Sequence, residues 1–551
     1  MGTEDPDCKE EIGRNMSPRS RKKKRSDQIR IPLLQERDIE AEVISFYKGL
    51  LGTTASTSLS VNLVIIRCGN VLTQSQRLEL IKPVTAHEIY TALHSIGDSK
   101  APGADGFSSL FFKSAWNVIG HDFIMAIQDF FRTVRGAVCF RSRPFIHDNS
   151  LLAQEIIRGY GRRNISARCM IKLDLQKAFD SVNWVFVEDL LRKLGFPAMF
   201  VGWIMTCLTT VSYQINLNGR LTYPFHGGKG IRQGDPMSPF LFVICMEYLN
   251  RVLKATPSSS LYRFHPRCDK LKISHLVFAD DLLLFSKGTF NSVKALLDRF
   301  DIFSRTLGLI ANRNKSEIYT AGVREEVKAS ILAFSQLKEG KLPFRYLGIP
   351  LNAKRLSIIQ YQPLLDKMLG RINHWTSKML SYGGRIQLIQ SKVMKAVESL
   401  CRKFLWTGQA GDSKGALVAW DSICRTKGEG GIGLLHLPSW NKVSFLKLLW
   451  AINQKSDKLW IKWLHEYYVK SADVMNMLVP SDASYFFKKA LKCRVLVRSS
   501  VEWRGMEVNG KFDKLIAYNI VRYPISKVAW KDFLMNNRAT PRAKFCLWLA
   551  L

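Results

Sequence analysis

The sequence predicts a mixed α/β (α+β) fold, in which short apolar strands pair in an antiparallel sheet and helices flank them. The first observation is a hairpin pattern: short, largely apolar segments at 271–277 and 282–285 flank Asp280 and Asp281, which stand where a two-residue turn would fall. The second is a strand pattern at 169–175, where apolar and polar side chains alternate. The third is the length of 551 residues with 46% hydrophobic content, which is enough for several domains with sizeable cores.

The acidic pair would place two carboxylates at the tip of an otherwise apolar hairpin. Charges carried into a low-dielectric site must be paired or must bind metal, so this position favours a metal site. The alternative is that Asp-Asp is simply a favourable turn dipeptide. In the strand at 169–175 the apolar residues share one face, so Lys172 and Asp174 project from the other face. We therefore expect Asp174 to meet Asp280 across the sheet.

Helices are indicated by apolar periodicity and by capping signals. A helical pattern covers residues 39–51, and an apolar helix is predicted at 239–253. Thr85 and Glu88 have the spacing of a capping box that opens a helix ending near Ser95.

Asp180 follows Asp174 by six residues and invites a different interpretation. Aspartate at an N-cap satisfies free backbone N–H groups, so Asp180 is predicted to cap a helix at 181–194. This interpretation makes Asp180 structural and leaves Asp174 as the candidate metal ligand of the segment.

Five ordered motifs carry a family resemblance. They are KLDLQKAFDSVNW (172–184), GIRQGDPMSPFLF (230–242), FADD (278–281), GLIANRNKSE (308–317) and FRYLGIPL (344–351). Their order and spacing resemble the reverse transcriptase of non-LTR (LINE-type) retrotransposons, most closely the plant branch, from about residue 101 to the C-terminus. Five motifs in order are far more specific than any single one.

This resemblance implies a polymerase right-hand architecture: a palm with an antiparallel sheet, incomplete fingers, a helical thumb and a helical C-terminal extension. The expected domains are a basic disordered tail (1–40), a helical fingers-side region (41–135), the palm (136–325), a basic thumb-like region (341–404) and a helical C-terminal region (405–551) that ends at the start of a truncated zinc-binding-type domain.

The connection between the fingers side and the first catalytic strand is short. Only residues 132–167 intervene, whereas the related enzymes place fingers strands there that hold the nucleotide and template. A second shortfall follows Met394. The chain therefore resembles a truncated or internally deleted copy, through either a skipped exon or decay of the element.

The resemblance also implies the catalytic chemistry. Asp174, Asp280 and Asp281 are the expected catalytic residues and the expected ligands of two Mg²⁺ (or Mn²⁺) ions, with Asp281 as an accessory ligand. Hard cations of this kind prefer oxygen ligands. In the two-metal scheme one ion activates the primer 3′-hydroxyl and the other neutralises the triphosphate and the leaving pyrophosphate. No protein nucleophile is required.

Four further residues are expected around the incoming nucleotide. By resemblance, Phe179 lies beneath the sugar and excludes a 2′-hydroxyl, although an ordinary core phenylalanine is the alternative. Gln233 and Gly234 belong to a turn that supports the template and the nucleotide sugar. Lys315 corresponds to a residue that approaches the leaving pyrophosphate.

The net charge of +35, from 81 Lys and Arg against 46 Asp and Glu, favours a polyanionic partner. Residues 341–404 alone carry 12 Lys and Arg against two acidic residues, with Trp375 and Tyr382 among them. Such a surface suits grip on a phosphate backbone with stacking by the rings. The expected nucleic-acid-binding residues are Arg232, Arg345, Lys354, Arg355, Arg371, Lys378 and Arg385.

The expected partners are an RNA template, a DNA primer and deoxynucleoside triphosphates. No apolar run approaches the roughly 18 to 20 residues of a membrane-spanning helix, so no membrane partner is expected. The basic run at 19–25 fits a nuclear import signal, a nucleic-acid patch or a solvated tail, with the cytoplasm as the alternative location. The eleven scattered cysteines form no Cys-x-x-Cys pair and are expected to be reduced thiols. Two functions remain open: an RNA-directed DNA polymerase, or an inactive nucleic-acid-binding remnant of one.

Overall fold

The computed structural model describes residues 36–353 and 418–530, with gaps at 54–58, 99–106, 134–145, 163, 236, 256–260, 432, 498–502, 504 and 523–525, together with residues 362, 366, 398, 399, 547, 548 and 550. The basic run at 19–25 lies outside the described residues. So does most of the region at 341–404, including the expected nucleic-acid-binding residues Lys354, Arg355, Arg371, Lys378 and Arg385.

The segment before the sheet is helical. Its helices are α1 (Glu36–Leu51), α2 (Leu63–Arg67), α3 (Gln74–Leu80), α4 (Ala86–Ser95), α5 (Ser109–Ser114), α6 (Trp116–Thr133) and α7 (Ile146–Ile157). The predicted capping box is confirmed at α4: Glu88 N–H donates to Thr85 Oγ1 at 3.2 Å, and Thr85 N–H donates to Glu88 Oε2 at 2.9 Å. The predicted helix at 39–51 is also confirmed.

The central sheet has the strand order β10-β9-β1-β7-β6, with β8 also paired to β1. Its strands are β1 (Arg168–Gln176), β6 (His275–Phe278), β7 (Asp281–Lys287), β8 (Ile310–Ala311), β9 (Glu317–Ala321) and β10 (Lys338–Glu339). All of these pairs are antiparallel except β10 with β9. The mixed α/β fold with an antiparallel sheet is therefore confirmed.

The remaining elements of this part connect or cover the sheet. They are α8 (Trp184–Lys193), α9 (Ala198–Thr209), β2 (Ser212–Tyr213), β3 (Asn216–Leu217), β4 (Arg220–Leu221), β5 (Phe225–His226), α10 (Ser238–Lys254), α11 (Phe290–Leu307), α12 (Glu325–Ser335), β11 (Phe344–Tyr346) and β12 (Ile349–Leu351). The apolar helix predicted at 239–253 is confirmed as α10.

The predicted cap of α8 was wrong. Asp180 does not cap the helix, because the helix begins at Trp184 and the N-cap is Asn183, whose side-chain oxygen accepts a hydrogen bond from Val185 N–H at 2.9 Å. Asp180 lies in a turn before it. The reason is that residues 179–182 use their backbone to hold the loop at 230–231, so the helix starts three residues later than predicted.

One face of the sheet is covered by helices of the same region. Ile171, Leu173 and Leu284 point into this first core with the apolar sides of α8, α9, α10 and α11. The alternation of β1 places these residues on the face opposite to Lys172 and Asp174. This pattern fixes the register of β1, because a shift by one residue would turn Lys172 and Asp174 into the apolar core.

The second face is covered by α7, by the β11–β12 hairpin and by the C-terminal helices. Met170, Leu283 and Phe285 share this second core with apolar residues of the C-terminal part, among them Trp460 and Trp463, each at most 1% exposed. The predicted C-terminal region is helical but shares this core with the sheet. Trp460 and Trp463 are therefore core residues.

The described C-terminal elements begin at Trp420. They are α13 (Trp420–Ile423), a 3₁₀ turn (Lys427–Glu429), α14 (Leu437–Asn453), α15 (Leu459–Leu464), a π-helical turn (His465–Val469), α16 (Tyr485–Lys492), a 3₁₀ turn (Cys493–Leu496), β13 (Glu507–Val508), β14 (Lys511–Phe512) and α17 (Lys514–Val521). No helix in the described part is long and apolar enough to cross a membrane. The cysteines among the described residues form no disulfide bond with one another.

A buried carboxyl lies where α7 meets the C-terminal helices. Burial raises the pKa of Glu155 to about 7, and Asp482 acts in the same direction. A hydrogen bond with the Ser484 side chain and the charges of Arg267 and Arg158 oppose this shift. The native state therefore keeps a proton that the unfolded chain releases near its ordinary pKa of 4.5.

We expect this carboxyl to make folding stability fall as the pH rises. The folded pKa of Glu155 is raised, so its stabilising contribution is complete below 4.5 and is lost as the pH passes through about 7. At 1.36 kcal/mol per unit this is on the order of 3 kcal/mol. Glu155→Gln should therefore unfold at a higher denaturant concentration than the wild type at pH 8, and at a similar one at pH 5. Parallel pH curves for the two proteins would contradict this.

Candidate active site

Two carboxylates are brought together by the pairing of β1 with β7. The register sets Asp174 opposite Asp281. Leu175 N–H donates to the Asp280 carbonyl at 3.4 Å, while the N–H and C=O of Asp174 point to the other neighbouring strand. Asp174 and Asp281 are therefore a non-hydrogen-bonded pair, the kind in which Cα atoms are about 4.5 Å apart and side chains are closest. Both side chains leave the same face of the sheet.

The β6–β7 hairpin is confirmed, but its turn lies one residue earlier than predicted. Phe278 pairs with Asp281, so the turn residues are Ala279 and Asp280, and Asp281 begins the returning strand. The cross-strand partner of Asp174 is consequently Asp281, and the expectation that Asp280 would stand directly opposite was wrong. Asp280 is exposed beside the pair. Ala279 has a φ of +50°, a backbone conformation that non-glycine residues adopt mainly where the surroundings enforce it.

The carboxylates repel one another. Burial raises the pKa of Asp281 above its ordinary value, and the charges of Asp280 and Asp174 raise it further. The Lys172 charge is the largest opposing effect, followed by a hydrogen bond from the backbone N–H of Leu347. Three carboxyl groups thus share one neighbourhood that the nearby cations do not fully neutralise, so a cation between them would be stabilising.

The donor set suits a hard divalent cation. The residues that would hold it are Asp174, Asp281 and Asp280, and carboxylate oxygens are the ligands that Mg²⁺ prefers. Asp174 is partly buried, with its side chain 26% exposed, which leaves it accessible to a metal and a substrate. Within the described ranges there is no group of three or more His, Cys, Asp or Glu residues already at ligand spacing. The strand pairing brings Asp174 and Asp281 together, and Asp280 lies in the adjoining turn.

Lys315 lies beside Asp174. Its Nζ is 3.7 Å from Oδ2 of Asp174, and its side chain is 67% exposed. Such an exposed ion pair is worth only about 0 to 1 kcal/mol, so the lysine can exchange its partner at little cost.

Phe179 lies in the turn that follows β1. Its ring stacks on Phe242 with centroids 4.6 Å apart, and it is half-buried against the first core. Its carbonyl accepts a hydrogen bond from Ile231 N–H at 2.8 Å. The ring is thus a core residue, and its expected place beneath the nucleotide sugar stays a prediction.

The glycine-rich loop is fixed to the turn after β1. Gly230 N–H donates to the Val182 carbonyl at 2.7 Å, and Trp184 Nε1–H donates to the Gly230 carbonyl at 2.6 Å. Gly230 has a φ of +88°, and a Cβ there would lie 2.8 Å from the Asp180 carbonyl oxygen. Only glycine fits this backbone, which explains the glycine of the GIRQGD motif.

The loop presents its polar residues to solvent. Arg232, Gln233 and Gly234 are exposed. The Asp235 carboxylate accepts a hydrogen bond from Met237 N–H at 2.7 Å and so shapes the turn into α10. Arg345 is exposed on β11, in the hairpin whose Leu347 N–H reaches Asp281. Both arginines are therefore available to an anionic ligand near the carboxylates.

Sequence reasoning missed two contributors to the site. Ser316 accepts a hydrogen bond from Asp174 N–H, and Leu347 donates one to the Asp281 carboxylate. Both residues stand inside motifs that had been recognised, NRNKSE and FRYLGIPL, but nothing in a one-dimensional pattern shows which backbone group they meet. Lys172 had been placed on the correct face without a role.

Comparison with known proteins gives one family match and several relatives. Residues 114–351 match the family model described as reverse transcriptase (RNA-dependent DNA polymerase). Over 59% of its own length, the chain aligns with an uncharacterized 149 kDa protein of transposon TX1 from Xenopus laevis, with 22% sequence identity. The alignment covers 29% of that relative.

Two further relatives are named as retrovirus-related Pol polyproteins. One is from the type-2 retrotransposable element R2DM of Drosophila melanogaster, with 29% identity over 33% of this chain and 16% of the relative. The other is from the type-1 retrotransposable element R2 of Popillia japonica, with 33% identity over 26% of this chain and 23% of the relative. The chain thus spans less than a third of the length of each of these relatives.

Proposed function

We propose, on the premise that residues 114–351 are a reverse transcriptase domain of the non-LTR (LINE) type, that the chain is an RNA-directed DNA polymerase. It would extend the 3′-hydroxyl of a DNA primer with deoxynucleoside triphosphates along an RNA template. The observation that carries this proposal is the cross-strand pair Asp174 and Asp281, with Asp280 in the adjoining turn and Lys315 beside it.

The roles of the residues follow from these positions. Mg²⁺ or Mn²⁺ held by Asp174, Asp281 and Asp280, two ions per site, would lower the pKa of the primer hydroxyl and neutralise the triphosphate. The three carboxylates supply the negative charge that selects a cation, and the strand pairing holds the backbone of Asp174 and Asp281 in place. Lys315 can move its ammonium from Asp174 to the leaving phosphates, because its present ion pair is long and exposed.

The neighbouring loop would position the substrates. Phe179 offers a rigid surface beneath the nucleotide sugar, because Phe242 stacks on it. Gln233 and Gly234 stand on a loop that two backbone hydrogen bonds and the Trp184 indole hold in place. Arg232 and Arg345 are exposed cations suited to the phosphate backbone, which is bound without regard to sequence.

The architecture fits the polymerase subdomains in outline. We assign the sheet and helices α8 to α11 to the palm, α1 to α6 to a shortened fingers side, and the C-terminal helices to an extension packed on the palm. We assign the basic stretch at 341–404 to the thumb, and its charge is the only ground for this assignment. The boundary at 405 would divide the chain in sequence only, because the C-terminal helices pack into the same core as the sheet.

Primer extension tests the proposal directly. Oligo(dT) on poly(rA), with Mg²⁺ or Mn²⁺, should be extended by this chain slowly, and faster by a chain carrying a related fingers segment between Arg135 and Arg143. Misplacement of reactants by about 1 Å costs on the order of a hundredfold in rate, so a missing clamp on the nucleotide should cost at least that.

The outcomes separate the two candidate functions. Robust synthesis by the unmodified chain would refute the slow-enzyme expectation, whereas rescue by the insertion would locate the defect in the fingers. Binding of primer–template without extension in either protein would favour the second candidate, an inactive nucleic-acid-binding remnant. The short connection at 132–167 is the observation that favours this remnant.

A further inference from the structure

We propose that Ser316 is a positioning residue of the site: its buried hydroxyl holds the backbone of Asp174 and thereby aims the carboxylate at the metal position. The inference rests on the proposed function, because that function assigns the metal to Asp174. Ser316 itself touches neither metal nor substrate and acts through Asp174.

The reason that Asp174 needs such support is an interruption in the neighbouring strand. On one side of the interruption β9 pairs Glu317 with Lys172, and on the other side β8 pairs Ala311 with Leu175. A continuous ladder would place two residues opposite Leu173 and Asp174. The chain instead has five, residues 312–316, so three extra residues bulge out next to the carboxylate pair.

A bulge of this kind removes the regular partners of the strand it faces. The backbone groups of Asp174 point toward it and would be unpaired without a substitute. Asn312 N–H donates to the Asp174 carbonyl at 2.7 Å, and Asp174 N–H donates to Ser316 Oγ at 3.1 Å. The serine hydroxyl thus takes the place that a backbone carbonyl has in a regular ladder.

Ser316 is well suited to this task because its burial and its own backbone hydrogen bond hold it in place. It is 0% exposed, and its own N–H donates to the Asn312 carbonyl at 2.9 Å. Its predecessor is Lys315, whose ammonium lies 3.7 Å from the Asp174 carboxylate. One short turn therefore fixes the backbone of Asp174 and presents the lysine to its side chain.

Removal of the hydroxyl should leave Asp174 N–H buried without an acceptor. The strand can recover the lost bond by rotating toward a solvent or backbone acceptor, and such rotation moves the carboxylate away from Asp281. Groups that orient a metal ligand typically change metal affinity by about 10- to 100-fold when they are removed. We expect Ser316→Ala to lie near the lower figure, because the Asn312 bond remains.

The first measurement is Mn²⁺ binding to the full chain without substrates, monitored by electron paramagnetic resonance. The second is hydrogen–deuterium exchange of the peptide that covers β1. Ser316→Ala should weaken Mn²⁺ binding by about 10-fold and speed exchange near Asp174, whereas Ser316→Thr, which keeps the hydroxyl, should restore both. The matched control is Ser292→Ala. Ser292 is also 0% exposed, and its Oγ accepts Arg263 N–H at 3.0 Å, but it lies in the first turn of α11, which follows the end of β7 away from the carboxylates.

Wild-type Mn²⁺ affinity in folded Ser316→Ala would overturn the proposal. If the alanine variant does not fold, Ser316→Cys keeps the volume with a much weaker acceptor, and wild-type affinity there would equally overturn it. If neither folds while Ser292→Ala does, the hydroxyl serves the fold and not the site, and the proposal is wrong. Primer extension is scored separately: a wild type that binds Mn²⁺ but extends no primer refutes the proposed function and leaves this comparison valid.

Discussion

Asp174→Asn should reduce primer extension to background, and Asp280→Asn should do the same. Each substitution removes a negative charge from the group of carboxylates that would hold the metal under the proposed function. The amide keeps the size of the side chain, so the fold should survive. Extension by purified, folded protein on poly(rA) with oligo(dT) is the measurement, with circular dichroism to show that each variant is folded.

The matched control for these substitutions is Asp180→Asn. Asp180 lies six residues after Asp174 in the same motif, but it does not cap α8 and takes no part in the pairing of β1 with β7. Its substitution should therefore be mild. Equal loss of extension in Asp174→Asn, Asp280→Asn and Asp180→Asn, with folding preserved, would refute the assignment of the metal ligands.

Primer–template affinity should fall steeply with salt. The net charge of +35 implies that counterions leave the nucleic acid on binding, and a protein that makes about 6 to 10 phosphate contacts loses roughly 10³- to 10⁵-fold in affinity between about 50 and 200 mM salt. The logarithm of the binding constant should fall against the logarithm of salt by about 0.9 per phosphate on duplex DNA, and about 0.7 on single strands. Affinity that does not change with salt would exclude backbone binding.

Single neutralisations can locate part of this interface. Arg345 is exposed on the hairpin beside the carboxylates, and Arg345→Gln should weaken binding of all sequences alike and lower the salt slope by about one. Lys294→Gln removes one exposed charge from the start of α11, at the end of the sheet away from Asp174. Filter binding over a salt series should show the change for Arg345→Gln and little for Lys294→Gln. Identical slopes for the two variants would show that Arg345 contacts no phosphate.

Several features could be predicted from the sequence because they depend on neighbours along the chain. The alternation around Asp174 sets which side chains share a face, and β1 has that alternation. The Thr85 and Glu88 spacing produces a capping box, since both partners lie within one turn. The acidic pair with its apolar flanks produced a hairpin. Gly230 has the backbone that only glycine adopts freely, which the glycine-rich motif had indicated.

Other features were decided by contacts between residues far apart in the chain. The turn lies at Ala279 and Asp280, which made Asp281 the partner of Asp174, because register depends on how two strands bury their apolar faces. Asn183 replaced Asp180 as the cap of α8, because the backbone of the turn is used to hold the glycine loop.

By itself, the sequence determined the class of fold, singled out the candidate carboxylates and favoured a polyanionic partner by its charge, since these follow from composition, period and motif order. The tertiary structure alone decided how the carboxylates are held. Ser316 lies 142 positions from Asp174 yet supplies its hydrogen-bond acceptor, and the C-terminal helices close a core on the sheet. The physical reason is that a backbone N–H must be satisfied by whichever group the fold brings near it, and only packing decides which group that is.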